Sequence, residues 1–339
     1  MLHLATHTGS QFLHAAVRDG GLGVPQLRRT IPDILCRRLD GLTASDYVSE
    51  ALLKTKGFAR DFHRRMRVLA GGGPSDAFWR EEITTRPFSA GLEAAVEDLA
   101  SRAWLAATPR GWTGGDFVRA VQLRTGNLPT KGLASVNPQE RRCRAGCQRT
   151  ESLSHVLQGC PVTHALRLKR HDEIVSKIAT HSRRRGYTVE KEPRVYHPDR
   201  QLFVPDLAIQ LPGEALRVCD VQVCWEGARN LMESWERKRL VYDNARFRAA
   251  AARRWPQKRL TILPLLLGAR GIWPSCNARV AELLALPKTT KASCVHSCLK
   301  WDSTLHRHFM ASVWRQSNAG ERVRRQPPAT IQPPRRRRK

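Results

Sequence analysis

The chain has 339 residues, 41% of them hydrophobic, enough for one large domain or two to three modest ones. Its 58 Lys and Arg against 30 Asp and Glu give a net charge of +28. No stretch approaches the roughly 20 apolar residues of a bilayer span, and the N-terminus lacks the charged and apolar regions of a signal peptide, so neither a membrane protein nor a secreted one is expected.

The charge is uneven. Residues 1–140 hold 18 basic and 14 acidic side chains, and the remainder hold 40 and 16. Such an excess implies a polyanion contacted mainly through the C-terminal part, because neutralised phosphates release counterions. It names the class of partner and not the task. Inside a cell the nine cysteines read as thiols or metal ligands, not disulfides.

The first 140 residues read as mostly helical, with apolar positions at helical spacing over 46–67 and 92–105. Gly20 to Pro25 and Gly71 to Pro74 mark loops. A helical scaffold or linker is the reading for this part.

Cys143, Cys147, His155 and Cys160 then place four soft or borderline ligands within 18 residues. Zinc takes four such ligands in a tetrahedron. A closed set of four leaves no position for water, which makes the role structural. Gly146 and Gly159 would permit tight turns, and Arg142, Arg144 and Arg149 would ring the site with phosphate contacts. Cys294, His296 and Cys298, with His306 and His308 nearby, are a weaker echo whose spacing fits a helix face; these are read as structural.

A basic helix is expected over 162–178, then strands over 203–211 and 216–225 around a Pro212-Gly213-Glu214 turn. A long helix over 227–254, a strand over 260–267, and helices over 277–286 and 300–313 follow, and the last 20 residues, rich in Pro and Arg, read as disordered. The terminal Arg335 to Lys339 run suits a nuclear localisation signal or a solvated arm.

Pro205-Asp206 opens the first strand of the hairpin, and Asp220 lies 14 residues later in the second. Converging there, two carboxylates can hold Mg²⁺ with positions left for water and phosphate, as phosphodiester hydrolysis requires. Nucleases of the PD-(D/E)XK class use this layout with a lysine two residues after the second acid; here that residue is Gln222, on the same strand face as Asp220. Lys238 and Tyr242, four apart on the next helix, share a face and offer a replacement. Glu226 and Glu236 are worse-placed acids. On spacing alone, two ordinary strand-end aspartates fit the same pattern.

Together these segments resemble the C-terminal part of the polyprotein of site-specific, ribosomal-DNA-type non-LTR retrotransposons with a restriction-like endonuclease. The resemblance runs through His14 to Pro25, Leu123-Arg-Thr-Gly-Asn-Leu-Pro-Thr130, the Cys-Cys-His-Cys order, Arg170-His171 with Ile174, Pro205-Asp206, Asp220-Val-Gln-Val223, and Lys238 with Tyr242. It implies an α+β chain: a helical linker over 1–140, a zinc knuckle over 141–162, an α/β endonuclease domain over 163–316 and a basic tail over 317–339. Asp206 and Asp220 would hold catalytic Mg²⁺ or Mn²⁺, and Lys238 would be the catalytic lysine. Tyr242, Arg170 and His171 would support the site or contact DNA.

The implied activity is nicking of double-stranded target DNA in the nucleus, to prime reverse transcription of the element RNA by the polymerase domain of the parent polyprotein. This chain shows no Tyr- or Phe-Ala-Asp-Asp polymerase signature, so no reverse transcription of its own is expected, and Met1 reads as an arbitrary start. The rival readings are a catalytically silent nucleic-acid-binding remnant and a purely structural chromosomal packing protein.

Overall fold

A computed structural model describes residues 8–40, 51, 55, 57–71, 75–85, 90–133, 136–227 and 230–325. The first part is helical: α1 Ser10–His14, α2 Leu27–Asp40, α3 Phe58–Ala70, α4 Asp76–Thr85, α5 Ala103–Ala106 and α6 Gly114–Arg124. Of the helix expected over 46–67, residues 46–50 lie outside the described residues and α3 begins only at Phe58. Over 92–105 the chain forms not one helix but successive short turns, Glu93–Ala95, Leu99–Ser101 and α5. Asp98 causes one of the breaks, its carboxylate accepting from the Ala100 amide at 2.8 Å and starting a new turn. The turns still bury Ala94, Ala95, Ala100, Ser101 and Trp104, which gives the apolar spacing that imitates a helix.

Helix α7, Leu153–Gln158, belongs to the cysteine-rich segment, and α8, His164–Arg184, follows it. Strands β1 Thr188–Lys191, β2 Val195–Tyr196, β3 Leu202–Phe203, β4 Leu207–Gln210 and β5 Ala215–Cys224 come next. The Pro212 turn forms as expected, with Gly213 at φ +81°, which a side chain would strain. Helices α9 Asn230–Tyr242 and α10 Ala245–Arg254 then cross over to β6, Arg259–Gly268. The single helix expected over 227–254 is thus two. Asn244 is extended, at φ −136° and ψ 162°, and its side chain caps α10 by accepting from the Phe247 amide at 2.9 Å. Helix α11, Ala278–Leu283, is short, and α12 runs from Lys288 to Arg325, well past both ends of the expected 300–313. It therefore enters the segment expected to be disordered; residues 326–339, with the terminal basic run, lie outside the described residues.

The main sheet has the order β1-β4-β5-β6, with β1/β4 and β4/β5 antiparallel and β5/β6 parallel. Parallel pairing needs a long crossover, which α9 and α10 supply. Pro264 is tolerated in β6 because an edge strand spares its missing amide. Residues alternate across β5 between two apolar layers. Cys219, Val221 and Val223 pack with Ile174, Val175 and Ile178 of α8 and with Val295 and Leu299 of α12. Leu216 and Val218 pack with Phe247, Ala250 and Ala251 of α10. Helix α12 also packs on α6 and α7, so one helix touches the N-terminal helices, the cysteine-rich segment and the sheet layer. None of the helices among the described residues is long and apolar enough to cross a membrane.

Candidate functional site

In the cysteine-rich segment, backbone bonds fold 142–150 back on itself: Arg142 bridges Thr150, and the Cys143 amide donates to the Arg149 carbonyl at 2.9 Å. Gly146, at φ +84°, makes the turn that returns Cys147 towards Cys143; Gly159, at φ −130°, requires no such freedom. Ser152 caps α7 by accepting from the His155 amide at 3.0 Å, which sets the imidazole on the first turn. One ligand atom from each of Cys143, Cys147, His155 and Cys160 then lies within 4.8 Å of the others.

The donor set fits a metal ion. Both ring nitrogens of His155 are buried with no partner among the described residues, a costly state that ligation relieves. Burial holds the His155 imidazole below its ordinary pKa, raises the Cys143 thiol and pushes the Cys160 thiol up to about 12, so these three ligands favour their neutral forms without a cation. A bound cation reverses that for the thiols. Three thiolates and an imidazole are the ligands zinc prefers.

Arg144 does not extend to solvent as the sequence suggested. Its guanidinium pairs with fully buried Glu151 at 2.6 Å, while Glu151 also accepts from the amides of Arg144 and Lys131 at 2.9 and 3.0 Å. Burial would raise the Glu151 carboxyl, but the Arg144 guanidinium and these two amides more than offset it and hold it below its ordinary value.

The two aspartates meet at the mouth of the hairpin. The outermost β4–β5 pair is Leu207 with Cys219, so Asp206 and Asp220 stand opposite each other one residue further, just before β4 begins and where β5 continues. Asp206 Oδ2 accepts from the Val221 amide at 2.6 Å and from His171 Nε2 at 3.1 Å. Asp220 Oδ2 accepts from the Lys238 ammonium. Helix α8 brings His171 from one face of the sheet and α9 brings Lys238 from the other.

The electrostatics follow from burial and proximity. Hydrogen bonding to Asp206 raises His171 to about 9, so it is an imidazolium that donates to the carboxylate. Burial opposes ionisation of Asp206, yet His171, the Val221 amide and Lys238 hold it below its ordinary value. Asp220 is pushed up to about 6 by burial and by the charge of Asp206, against the pull of Lys238. Two carboxyls with their pKa values driven apart, beside a lysine and an imidazolium, form a site able to take a cation and an anion together.

Tyr242 packs edge-on to Phe247 at 5.1 Å, and its hydroxyl donates to the Val204 carbonyl at 3.1 Å, two residues before Asp206. It buttresses the strand that delivers Asp206. Gln222 is half-buried near Lys238.

Other expected residues go elsewhere. Arg170 is buried and pairs with Asp302 of α12. Glu226, 1% exposed, accepts from the Arg270 amide at 2.8 Å and pairs with its guanidinium at 3.2 Å, so it is spent in the core. Glu236 pairs with Arg239 on the surface. Cys294 and Cys298 face the core from α12, and His306 Nε2 donates to the Pro129 carbonyl at 2.8 Å, with no metal group formed among the described residues there.

Arg124 belongs to the Leu123–Thr130 motif, but the motif does not reveal its role. Buried Arg124 of α6 donates to the carbonyls of Ser101, Arg270 and Gly271 at 2.6, 2.8 and 2.8 Å, tying the N-terminal helices to the end of β6. Only a contact between residues far apart in the chain reveals it.

No family model matches the chain. It is 62% identical over 315 residues to the Retrovirus-related Pol polyprotein from type-1 retrotransposable element R2 of Popillia japonica, covering 93% of this chain and 71% of that protein. A second polyprotein of that description from the same species is 59% identical over 318 residues, 93% of this chain and 52% of the relative. The Retrovirus-related Pol polyprotein from type-2 retrotransposable element R2DM of Drosophila melanogaster is 29% identical over 281 residues, 80% of this chain and 26% of the relative. The chain thus spans about half of the second relative's length and about a quarter of the third's.

Proposed function

The chain belongs to the Pol polyproteins of R2 retrotransposable elements, and we propose that it is their metal-dependent DNA endonuclease module, nicking one strand of a duplex so that the exposed 3′ end primes reverse transcription of element RNA. The observation that carries this reading is the convergence of Asp206, Asp220, Lys238 and His171 at the mouth of one hairpin.

Asp206 and Asp220 would hold Mg²⁺ or Mn²⁺, which supplies an activated water and charge neutralisation for the phosphate when bound. Lys238 is on the Asp220 side of the site, where its ammonium can orient the attacking water and offset charge on the phosphate. His171 and the Val221 amide fix the Asp206 carboxylate in one orientation, and Tyr242 fixes the strand before it. Arg170 supports the site at a distance, by holding α8 to α12. Cys143, Cys147, His155 and Cys160 would hold a structural zinc.

The proposed partners are duplex target DNA, element RNA and the polymerase domain of the parent polyprotein, in the nucleus. The charge of +28 supports the polyanion partners.

A second reading, a nucleic-acid-binding protein without nuclease activity, draws on Gln222 in the place of the usual lysine. Incubation of zinc-loaded protein with supercoiled plasmid separates the two. Relaxed circles in Mg²⁺, absent for Asp206→Ala although the plasmid is still shifted on a gel, support the nuclease. Binding without relaxation in either Mg²⁺ or Mn²⁺ rejects it.

A further inference from the structure

A cavity of about 610 Å³ opens beside His171 and Lys238. Its walls are the knuckle helix α7, the start of α8, the edge of β5 beyond Asp220, and α9. Beyond the Leu207–Cys219 pair no second strand among the described residues pairs with that edge of β5, whose Val221 amide donates to Asp206 Oδ2.

The lining is one-signed. It includes Arg167, Arg170, Arg237 and Lys238 and no Asp or Glu. Arg170 and Lys238 already have carboxylate partners. Arg237 is exposed and has no ion pair among the described residues, whereas Arg239 on the same helix pairs with Glu236 and Asp243. Gln158 Nε2 and Arg167 Nε are buried donors without an acceptor among the described residues. The Gln158 carbonyl oxygen accepts from Arg170 Nη2 at 3.4 Å, which leaves the amide nitrogen as the end still to be satisfied. Leu168 is 51% exposed, and Leu168, Val223 and Trp225 add an apolar surface to the lining. A cavity of roughly 300–1,000 Å³ accommodates a small organic ligand; here an apolar wall, the Arg237 cation and two unsatisfied donors occur together, Arg167 keeping Nε unsatisfied while its Nη atoms donate to the Gln158 and Cys160 carbonyls.

We infer that this cavity is a nucleotide subsite, taking one nucleotide of the cut strand next to the scissile phosphate. The base lies against Leu168 and Trp225, Arg237 and Arg167 meet the neighbouring phosphate, and Gln158 donates to an acceptor of the nucleotide. The zinc-binding segment thereby forms one wall of the nuclease pocket: Ser154 and Gln158 both come from α7, whose first turn carries His155. The inference rests on the nuclease reading, because it assigns the occupant by its position beside Asp206 and Asp220.

The test uses thymidine 3′,5′-bisphosphate with the zinc-loaded full chain in Ca²⁺, followed by NMR of the Gln158 side-chain amide and the Trp225 indole. Saturable shifts at both are expected. Arg237→Ala should weaken binding roughly tenfold, the loss of one charge-assisted contact. Arg253→Ala, an exposed arginine on α10 away from the cavity, should change it less than about twofold, as a screened surface charge does.

No shift at Gln158 and Trp225, or equal weakening by the two substitutions, overturns the subsite. Plasmid nicking by the same preparation is read separately. Bisphosphate binding in the cavity without nicking would reject the nuclease and keep the nucleotide pocket, whereas nicking with no bisphosphate in the cavity would do the reverse.

Discussion

Asp206 and Asp220 face each other one residue beyond the outermost pair of their hairpin, just before β4 begins and where β5 continues beside β6 alone. The register is what makes them a pair. A one-residue slip would move every β4 side chain to the opposite face and take Asp206 away from Asp220. Lys238 and His171 then approach that pair from opposite faces of the sheet.

Lys238→Met should lower single-turnover nicking by at least about 100-fold, the usual size of a lost general acid–base or charge-stabilising group. DNA affinity should stay within about twofold, because the Lys238 charge is already balanced by Asp220 and adds little net attraction for the duplex. Rapid-quench kinetics with a filter-binding control measure both. A fall in affinity matching the fall in rate would make Lys238 a binding residue only.

Arg170 is expected to matter for stability and not for DNA contact. It pairs with Asp302 at 4% and 0% side-chain exposure, and removing one partner of a buried pair costs about 3–5 kcal/mol. Arg170→Ala should therefore shift urea unfolding by that amount, while Arg170→Met with Asp302→Leu recovers much of it. Salt-dependent DNA binding of the folded double variant should match wild type; a reduced salt slope would point to a phosphate contact instead.

The metal-type segment was the most legible part of the chain, because its four ligands and Gly146 are local in sequence and their spacing leaves few folds. The Pro212-Gly213 turn and the alternation in β5 likewise announce the hairpin. Helix ends were harder to read. Asp98 and Asn244 both break apolar helical patterns by capping, and each looks like an ordinary polar position until its side-chain bond to the backbone is known. The least legible parts are long-range. Arg124 meeting the Arg270 and Gly271 carbonyls, or Arg170 meeting Asp302, depends on how α6, α8 and α12 pack, and no periodicity encodes that. For the same reason Arg144 read as a phosphate contact although Glu151 claims it.

One zinc per chain is expected by elemental analysis, falling to none in Cys147→Ser. Loss of the ion should lower the midpoint of thermal unfolding by at least about 5 °C, since the unfolded chain has no preformed site and metal binding therefore adds to folding free energy. An unchanged midpoint after chelation, with full metal removal verified, would separate the segment's fold from the metal.

Glu151 gives a pH dependence with a definite sign. Its folded pKa is held below the ordinary 4.5 by Arg144 and two amides, despite burial. Stability from this group is therefore fully present above the unfolded value and is lost as pH falls through the lower, folded one. The difference in unfolding free energy between wild type and Glu151→Gln should shrink as pH is lowered from about 6 to about 3. Using that difference cancels the protonation of the cysteine ligands, which is common to both proteins. A difference that grows on acidification would contradict the assigned direction.

In the proposed mechanism Asp206 and Asp220 together form the metal site of a strand-nicking nuclease. The most direct test is single-turnover cleavage of an end-labelled DNA duplex by the zinc-loaded chain in Mg²⁺ or Mn²⁺, with both strands followed. The expected result is a cut in one strand leaving a 3′-hydroxyl, abolished by either Asp206→Ala or Asp220→Ala in protein that remains folded and bound. Cleavage that survives both substitutions, or no cleavage by wild-type protein that binds the duplex with either ion, would contradict it.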